Sequence, residues 1–508
     1  MLNLFGSGKS DHPMADLKAA RKILGEIPGS DPLKALEDLN HWLESVCEPG
    51  HFKPDHRAQL VQMIEEFSQV ILRKLQREYL SSARLSKFHE NRLWAALYGG
   101  NRQIAIAFLN CIDEFATGQK GADVLKASMP LLTVRALRAI AAQMKWQYVR
   151  YGPVDSELWG TAATVYALAE SRKFARTRVG VTPGVAGESS PEQEFLKAAM
   201  LAASSPDRLL PAEVDLVERL IAHFSGSFKL TLEHQPDLVY WLDLAASQPP
   251  QRLARPPQIT PTLRFFGAGG ALNELGQAVA VLNSTNAVPS GLGLGDSYEP
   301  EVVLDALNHL ALYWSPKPPA RKTPRHKVKS RLAATWGFDG VLAALDPGRA
   351  NPEENRVESW VVENVSAGGF GASVPQIKGD WLKIGCLVGL QPEGGHNWVI
   401  GVIRRFNRET AQQGAVGIQT LARAALPVKV KLENALGAAR DGRPAIMLNP
   451  SDSATETQLL LPPGVLTGGQ NLELERDGKS FLLMPAGFVE SGEDYEQVRF
   501  RQMIRETE

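Results

Sequence analysis

The hydrophobic pattern of this chain changes period once, at the segment SPKPPARKTPRHK (315–327), and that change constrains what it can fold into. Upstream, apolar residues recur at three- and four-residue spacing, the repeat of a helix with one buried face. Downstream they alternate with polar residues in short runs separated by turn residues, the repeat of half-buried strands. A helical region and a β region joined by a proline-rich linker follow from this pattern. At roughly 150 residues per domain, a chain of 508 residues holds about three domains.

Residues 1–14 read as a flexible tail. GSGKS (6–10) imitates the end of a phosphate-binding loop, but the first glycine of that motif would fall on Asn3, and no strand precedes it. Residues 15–315 read as an all-α bundle or solenoid-like domain. In DPLKALEDLNHWLESV (31–46), Asp31 and Pro32 mark a helix start, and Leu33, Leu36, Leu39 and Trp42 follow at i, i+3 spacing. Long amphipathic stretches cover 56–80 and 91–116. Trp94, Trp146, Trp159 and Tyr166 are expected in the core. TLRFFGAGGALNELGQAVAVL (262–282) has the strand–glycine–helix order of a dinucleotide fold, yet Leu272 stands where the third glycine belongs.

The basic linker is placed at 316–330, a small antiparallel β-barrel at 331–425, and a further C-terminal β domain at 426–508. RLAATWGF, RVESWVVENV, GCLVGLQ, NWVIGVIRRFN and AVGIQTL are the strands expected of the barrel. PVKVKLE, PAIMLNP, TQLLLP, NLELERD, KSFLLMP and YEQVRFRQ supply the last domain. DPGRANPEEN (346–355) reads as a polar loop between two strands.

Net charge is −1, so the molecule as a whole is no general nucleic-acid binder, and any electrostatic function is local. Three widely spaced cysteines without a CxxC pair give neither a disulfide framework nor a zinc site. With no signal peptide and no apolar run of membrane-spanning length, a cytoplasmic location is expected. No GxSxG, no HExxH and no nucleophile–base arrangement is present, so the chain is expected not to be an enzyme.

Charge concentrates in one place. Seven cations and no acid lie between Lys317 and Arg331. Arg321 and Arg325 stand four apart, and each guanidinium can fork onto a phosphate, grip a guanine edge or stack on a base. Further on, NVSAGGFG (364–371) ends a strand. Asn364 can donate and accept, Ser366 offers a hydroxyl, and Gly369 lets a ligand approach the backbone. Together these suit a nucleotide carrying phosphates and guanine.

Arg321-Lys-Thr-Pro-Arg325 followed by Asn364-Val-Ser366-Ala-Gly-Gly369 resembles the RxxxR and [D/N]xSxxG signature of the PilZ family, over roughly residues 317–425. GCLVGLQ, VIGVIRRF and GAVGIQTL resemble that family's later strands. The interval between the motifs, 364 − 325 = 39 residues, is longer than the family's usual one. The resemblance implies a bacterial second-messenger receptor that binds cyclic di-GMP, with no other cofactor and no metal. It assigns Arg321 and Arg325 to guanine and phosphate, Asn364 and Ser366 to hydrogen bonds, and Gly369 to close approach. Lys322 is a weaker phosphate contact. Arg404 and Arg405 read as a solvated strand end and are left out. The implied action is an arginine linker ordered by its ligand, repositioning the helical domain to signal to a protein partner. Two other readings stand beside it: a scaffold whose barrel keeps only the fold, and a nucleic-acid-binding barrel.

Overall fold

The computed structural model describes residues 12–505 apart from 82–84, 182–186, 256, 296, 318–322, 347, 349–356, 380, 411, 433–441, 452–454 and 467–468. The chain divides into two compact units. One is Met1–Arg150, Val154–Pro206 and Pro211–Pro319; the other is Tyr151–Pro153, Asp207–Leu210 and Ala320–Glu508.

Helices dominate the first unit for reasons visible in their sequences. The helix Pro32–Cys47 starts with Pro32 in its first turn, and the Asp31 carboxylate caps it by accepting from the Lys34 backbone N–H. Its buried face is Leu36, Leu39, Leu43 and Val46, whereas Leu33 and Trp42 are only half-buried. Pro54–Ser81, Lys87–Ala116 and Met129–Val149 form the long centre of the unit. Trp146, Trp159 and Tyr166 are buried, and the Trp94 indole donates to the Trp146 carbonyl at 2.7 Å. These aromatics are packing residues.

The unit is not all-helical. A four-stranded antiparallel sheet sits between the later helices, in the order Lys229–Thr231, Leu263–Gly267, Tyr240–Asp243, Gln251–Arg252. Strands of two to five residues are too short to show a period, so helical patterning around them hides them. The strand Leu263–Gly267 does run into the helix Ala271–Thr285. All its neighbours are antiparallel, so no dinucleotide-binding βαβ unit exists there.

The second unit holds two closed six-stranded antiparallel barrels. The first is built from β1 (His326–Trp336), β2 (Glu358–Ser366), β3 (Gly369–Val374), β4 (Leu387–Pro392), β5 (Val399–Arg408) and β6 (Gly414–Ala422). Its order around the barrel is β4-β5-β6-β3-β2-β1. The second comprises β7 (Ala425–Leu432), β8 (Arg443–Leu448), β9 (Glu456–Leu461), β10 (Leu472–Arg476), β11 (Lys479–Ser491) and β12 (Glu496–Arg505), in the order β7-β8-β9-β12-β11-β10.

Alternation fills each barrel. Leu332, Trp360, Val362, Val388, Leu390, Phe406, Val416 and Ile418 share the first core. Trp381 lies parallel to both Trp336 and Trp360, with ring centroids 4.1 and 5.9 Å away. Some strands are apolar on both faces (AIML in β8, LLL in β9), because one face fills the second barrel and the other packs against the first. Ile446, Leu448, Leu460 and Tyr495 meet Phe338, Val341, Ile400 and Val402 there. A β domain follows the first barrel, as its strands foretold, and it shares a hydrophobic core with that barrel.

Two local readings change. β1 begins at His326, inside the stretch read as linker, because residues 326–329 are all exposed and present no apolar face to mark a strand. Part of the long interval between the two motifs is a helix, Phe338–Leu345, just before the stretch read as a polar loop. Most of 346–355 lies outside the described residues.

Candidate ligand-binding site

An open concavity of about 530 Å³ lies on the outer surface of the first barrel, over β2, β3, β6 and β5. Arg325, Asn364, Ser366 and Gly369 all line it. Arg321 and Lys322 lie outside the described residues.

The floor is one row of cross-strand partners. Asn364 on β2 pairs with Gly371 on β3, Gly371 with Gly417 on β6, and Gly417 with Arg405 on β5. Two glycines, adding no side chains of their own, therefore stand between a polar amide and a guanidinium. The next row is Ser366, Gly369 and Gln419. Ser366 Oγ donates to the Gly369 carbonyl at 3.3 Å.

The two motif-region glycines do different jobs. A Cβ on Gly371 would lie 2.5 Å from Asn364 Nδ2 and 2.8 Å from Oδ1, so the Asn364 amide occupies the space over that glycine. A Cβ on Gly369 would lie 2.0 Å from the Ile418 carbonyl oxygen. That glycine is required by the approach of β3 to β6, whatever occupies the pocket. Its expected part, letting a ligand close to the backbone, is thus not the only reason for it.

Two β-bulges set which side chains face outward. The ladder between β2 and β3 shifts between Val362 and Asn364, and that between β5 and β6 shifts between Ile403 and Arg405. At each bulge two successive residues oppose one partner, so both turn to the same side. Glu363 joins Asn364 in this way, and Arg404 joins Arg405.

Arg404 and Arg405 are accordingly not a solvated strand end. They sit mid-strand and line the pocket, as does Arg208 from the segment Asp207–Leu210 of the same unit. Arg404 Nε donates to Gln419 Oε1 at 2.8 Å, and its Nη2 pairs with Glu490 on β11. Glu490 in turn accepts from the Tyr495 hydroxyl at 3.0 Å. Burial and the neighbouring Glu490 carboxylate push the Tyr495 phenol well above its usual range, so it stays a donor. Arg405 Nε pairs with Asp207. Four arginines thus face one lining carboxylate, Glu363. Such a surface suits an anion. Among the described residues no cluster of His, Cys, Asp and Glu could hold a metal ion, and no helix is long and apolar enough to cross a membrane.

Residues 344–427 match the middle PilZ domain of the cyclic-di-GMP receptor FimW. The chain carries a PilZ domain. Residues 18–236, in the helical unit of this chain, match the N-terminal domain of the same receptor, so the two matches follow one another in the order of that receptor's domains. No curated protein matches the chain. Asn364, Ser366 and Gly369 fall within the matched PilZ segment, Arg321 and Arg325 ahead of it, and the second barrel beyond it.

Proposed function

We propose that this PilZ protein is a receptor for cyclic di-GMP and not a catalyst. The observation that carries the reading is the row Asn364–Gly371–Gly417–Arg405, two glycines with a hydrogen-bonding amide lying over one end and an arginine at the other. A purine fits beside the Asn364 amide on this glycine floor, Asn364 and Ser366 meet its edge, and guanidinium groups take its phosphates. Arg325 grips guanine or phosphate from the pocket wall, and Arg321, with Lys322 beside it, adds a second grip. The matched receptor's description names the same ligand. The barrel tryptophans argue against a nucleic-acid barrel. Trp336 and Trp360 are packed with Trp381 and do not form an exposed stacking platform.

Isothermal titration of cyclic di-GMP into the whole chain tests this. The native protein binds saturably, and Arg325→Ala weakens binding by about 1.5–3 kcal/mol, roughly ten- to a hundredfold, for one lost charge-assisted contact. Absence of heat and of binding with the native protein would refute the reading.

The ligand's second effect is on the arginine segment. Arg321 and Arg325 lie where the sequence passes from the first unit to the second, so closing them over a dianion draws that segment onto the barrel. The helical unit is then repositioned and presents a surface to a protein partner. Small-angle scattering with saturating cyclic di-GMP should differ from the ligand-free profile; superimposable curves from a protein shown to bind would exclude the repositioning.

A further inference from the structure

We infer that the pocket has a second anion subsite at its far end, formed by Arg404 and Arg405 on the β5 bulge, which takes the second phosphate of a two-phosphate cyclic nucleotide. This rests on the receptor reading above and adds to it what the motif residues do not supply.

The argument starts from distance. Asn364 and Arg405 are the ends of one cross-strand row, three strand spacings apart, about 14 Å at about 4.8 Å per spacing. A ligand with one phosphate, seated at Asn364, Ser366 and Arg325, leaves the arginine end empty. A ring carrying two phosphates reaches further along the row.

The bulge supplies the second step. In a regular strand Arg404 and Arg405 would point to opposite faces. The shift between Ile403 and Arg405 places both on the pocket side, while Ile403 and Phe406 remain in the core. Two guanidinium groups on one face of a strand form an anion site that alternation alone forbids. Gly417 opposite Arg405 keeps the space clear, since a Cβ there would lie 3.1 Å from the Arg405 Cβ.

The ion pairs already present orient these side chains without consuming them. Asp207 engages Arg405 through Nε, so among the described residues its two terminal amino groups are unengaged. Arg404 is held at Nε by Gln419 and at Nη2 by Glu490, which leaves Nη1 for a ligand. A guanidinium fixed on its inner edge presents its outer edge already in place, so less side-chain ordering accompanies binding. The second barrel thereby helps to build the pocket of the first, because Glu490 belongs to β11 and is itself held by Tyr495.

The test compares ligands on the full chain. Cyclic di-GMP and GMP are titrated into native protein, Arg405→Gln and Arg404→Gln, with thermal unfolding as the check on folding. Glutamine keeps an amide donor and removes the charge. Each variant is expected to melt as the native protein does. Each should lose about tenfold in affinity for cyclic di-GMP, with a loss at least about fivefold smaller for GMP. Native affinity for cyclic di-GMP in both folded variants would overturn the subsite, and so would equal losses for the two ligands. If GMP gives no signal even with native protein, the cyclic di-GMP arm decides alone. Failure of the native protein to bind cyclic di-GMP is a different result, because it removes the receptor reading itself.

Discussion

Replacing Gly369 by alanine is expected to destabilise the first barrel, and ligand binding should fall as a consequence of lost structure. The added Cβ would lie 2.0 Å from the Ile418 carbonyl oxygen and 3.1 Å from its carbonyl carbon. Both are backbone atoms in the β3–β6 ladder, where Gly369 pairs with Gln419, so no rotamer change can relieve the clash. Overpacking of this kind costs about 3 kcal/mol, and for a unit of this size that lowers the melting temperature by about 6–12 °C. Gly371→Ala is the contrast. The three atoms nearest its Cβ all belong to the Asn364 amide, a side chain that can swing away. The barrel should then melt within about 2 °C of native, while cyclic di-GMP affinity falls about fivefold with the loss of one placed hydrogen-bonding group. Calorimetry and titration on both variants check the pair. Equal melting of Gly369→Ala and native protein would show that the glycine serves the ligand alone.

That contrast also shows how much of the site was legible in the sequence. The order Asn364, Ser366, Gly369 after an alternating strand located the pocket, because a strand ending in glycines is a local signal. The reason for Gly369 was not legible, since its crowding partner Ile418 is 49 positions away (418 − 369) on a strand that only the closed barrel brings near. Arg404 and Arg405 were passed over because strict alternation sends neighbours to opposite faces. A signal was nevertheless present. In VIGVIRRF the core residues Ile403 and Phe406 stand three apart with two arginines between them. In WVVENV, Val362 and Val365 stand three apart around Glu363 and Asn364. An apolar–polar–polar–apolar step inside a strand is how a bulge reads in sequence, and both bulges of this pocket have that form.

The fold divides in the same way. Helices with a cap and a regular apolar stripe were readable, as were all six strands of the second barrel, whose runs are bounded by turns such as Asp477-Gly478. The sheet at 229–267 was not, because each strand is too short to show a period. The start of β1 at His326 was hidden by charge. Its first residues are exposed, and a strand without an apolar face looks like a linker.

The other large effect belongs to the helical unit, where Lys145→Met is expected to remove about 3–5 kcal/mol of stability at neutral pH. Lys145 and Asp215 are each only 3% exposed and form an ion pair. Asp215 also accepts from Gln76 Nε2 at 2.6 Å and from Arg219 Nε at 3.0 Å, and Lys145 pairs further with Glu218. Three helices, Pro54–Ser81, Met129–Val149 and Pro211–Phe224, are tied by this cluster. Removing the ammonium leaves the buried Asp215 carboxylate with only the half-exposed Arg219 as its cation among the described residues, and that weaker compensation is what makes the loss large. Burial alone would raise the Asp215 carboxyl, but Lys145 and Arg219 outweigh it and hold it below its ordinary value. Burial would likewise lower the Lys145 ammonium, and Glu218 and Asp215 outweigh that and hold it above its ordinary value. A depressed carboxyl gives stability that is present above the unfolded value, about pH 3.9, and lost as pH falls through the folded one. A raised ammonium gives stability that is complete below about pH 10.4 and lost as pH rises through its folded value. Between those limits the cluster's contribution is flat. Without Lys145 the Asp215 carboxyl rises, so the acid limb of the stability curve should move to higher pH and the alkaline loss due to Lys145 should vanish. Denaturant titrations followed at the helical circular-dichroism band, from about pH 2 to about pH 12, read both limbs. Lys145→Met with Asp215→Leu should recover part of the loss, because removing both charges leaves neither stranded. A single variant as stable as the native chain, or an acid limb that stays in place, would mean that this pair contributes no net stability.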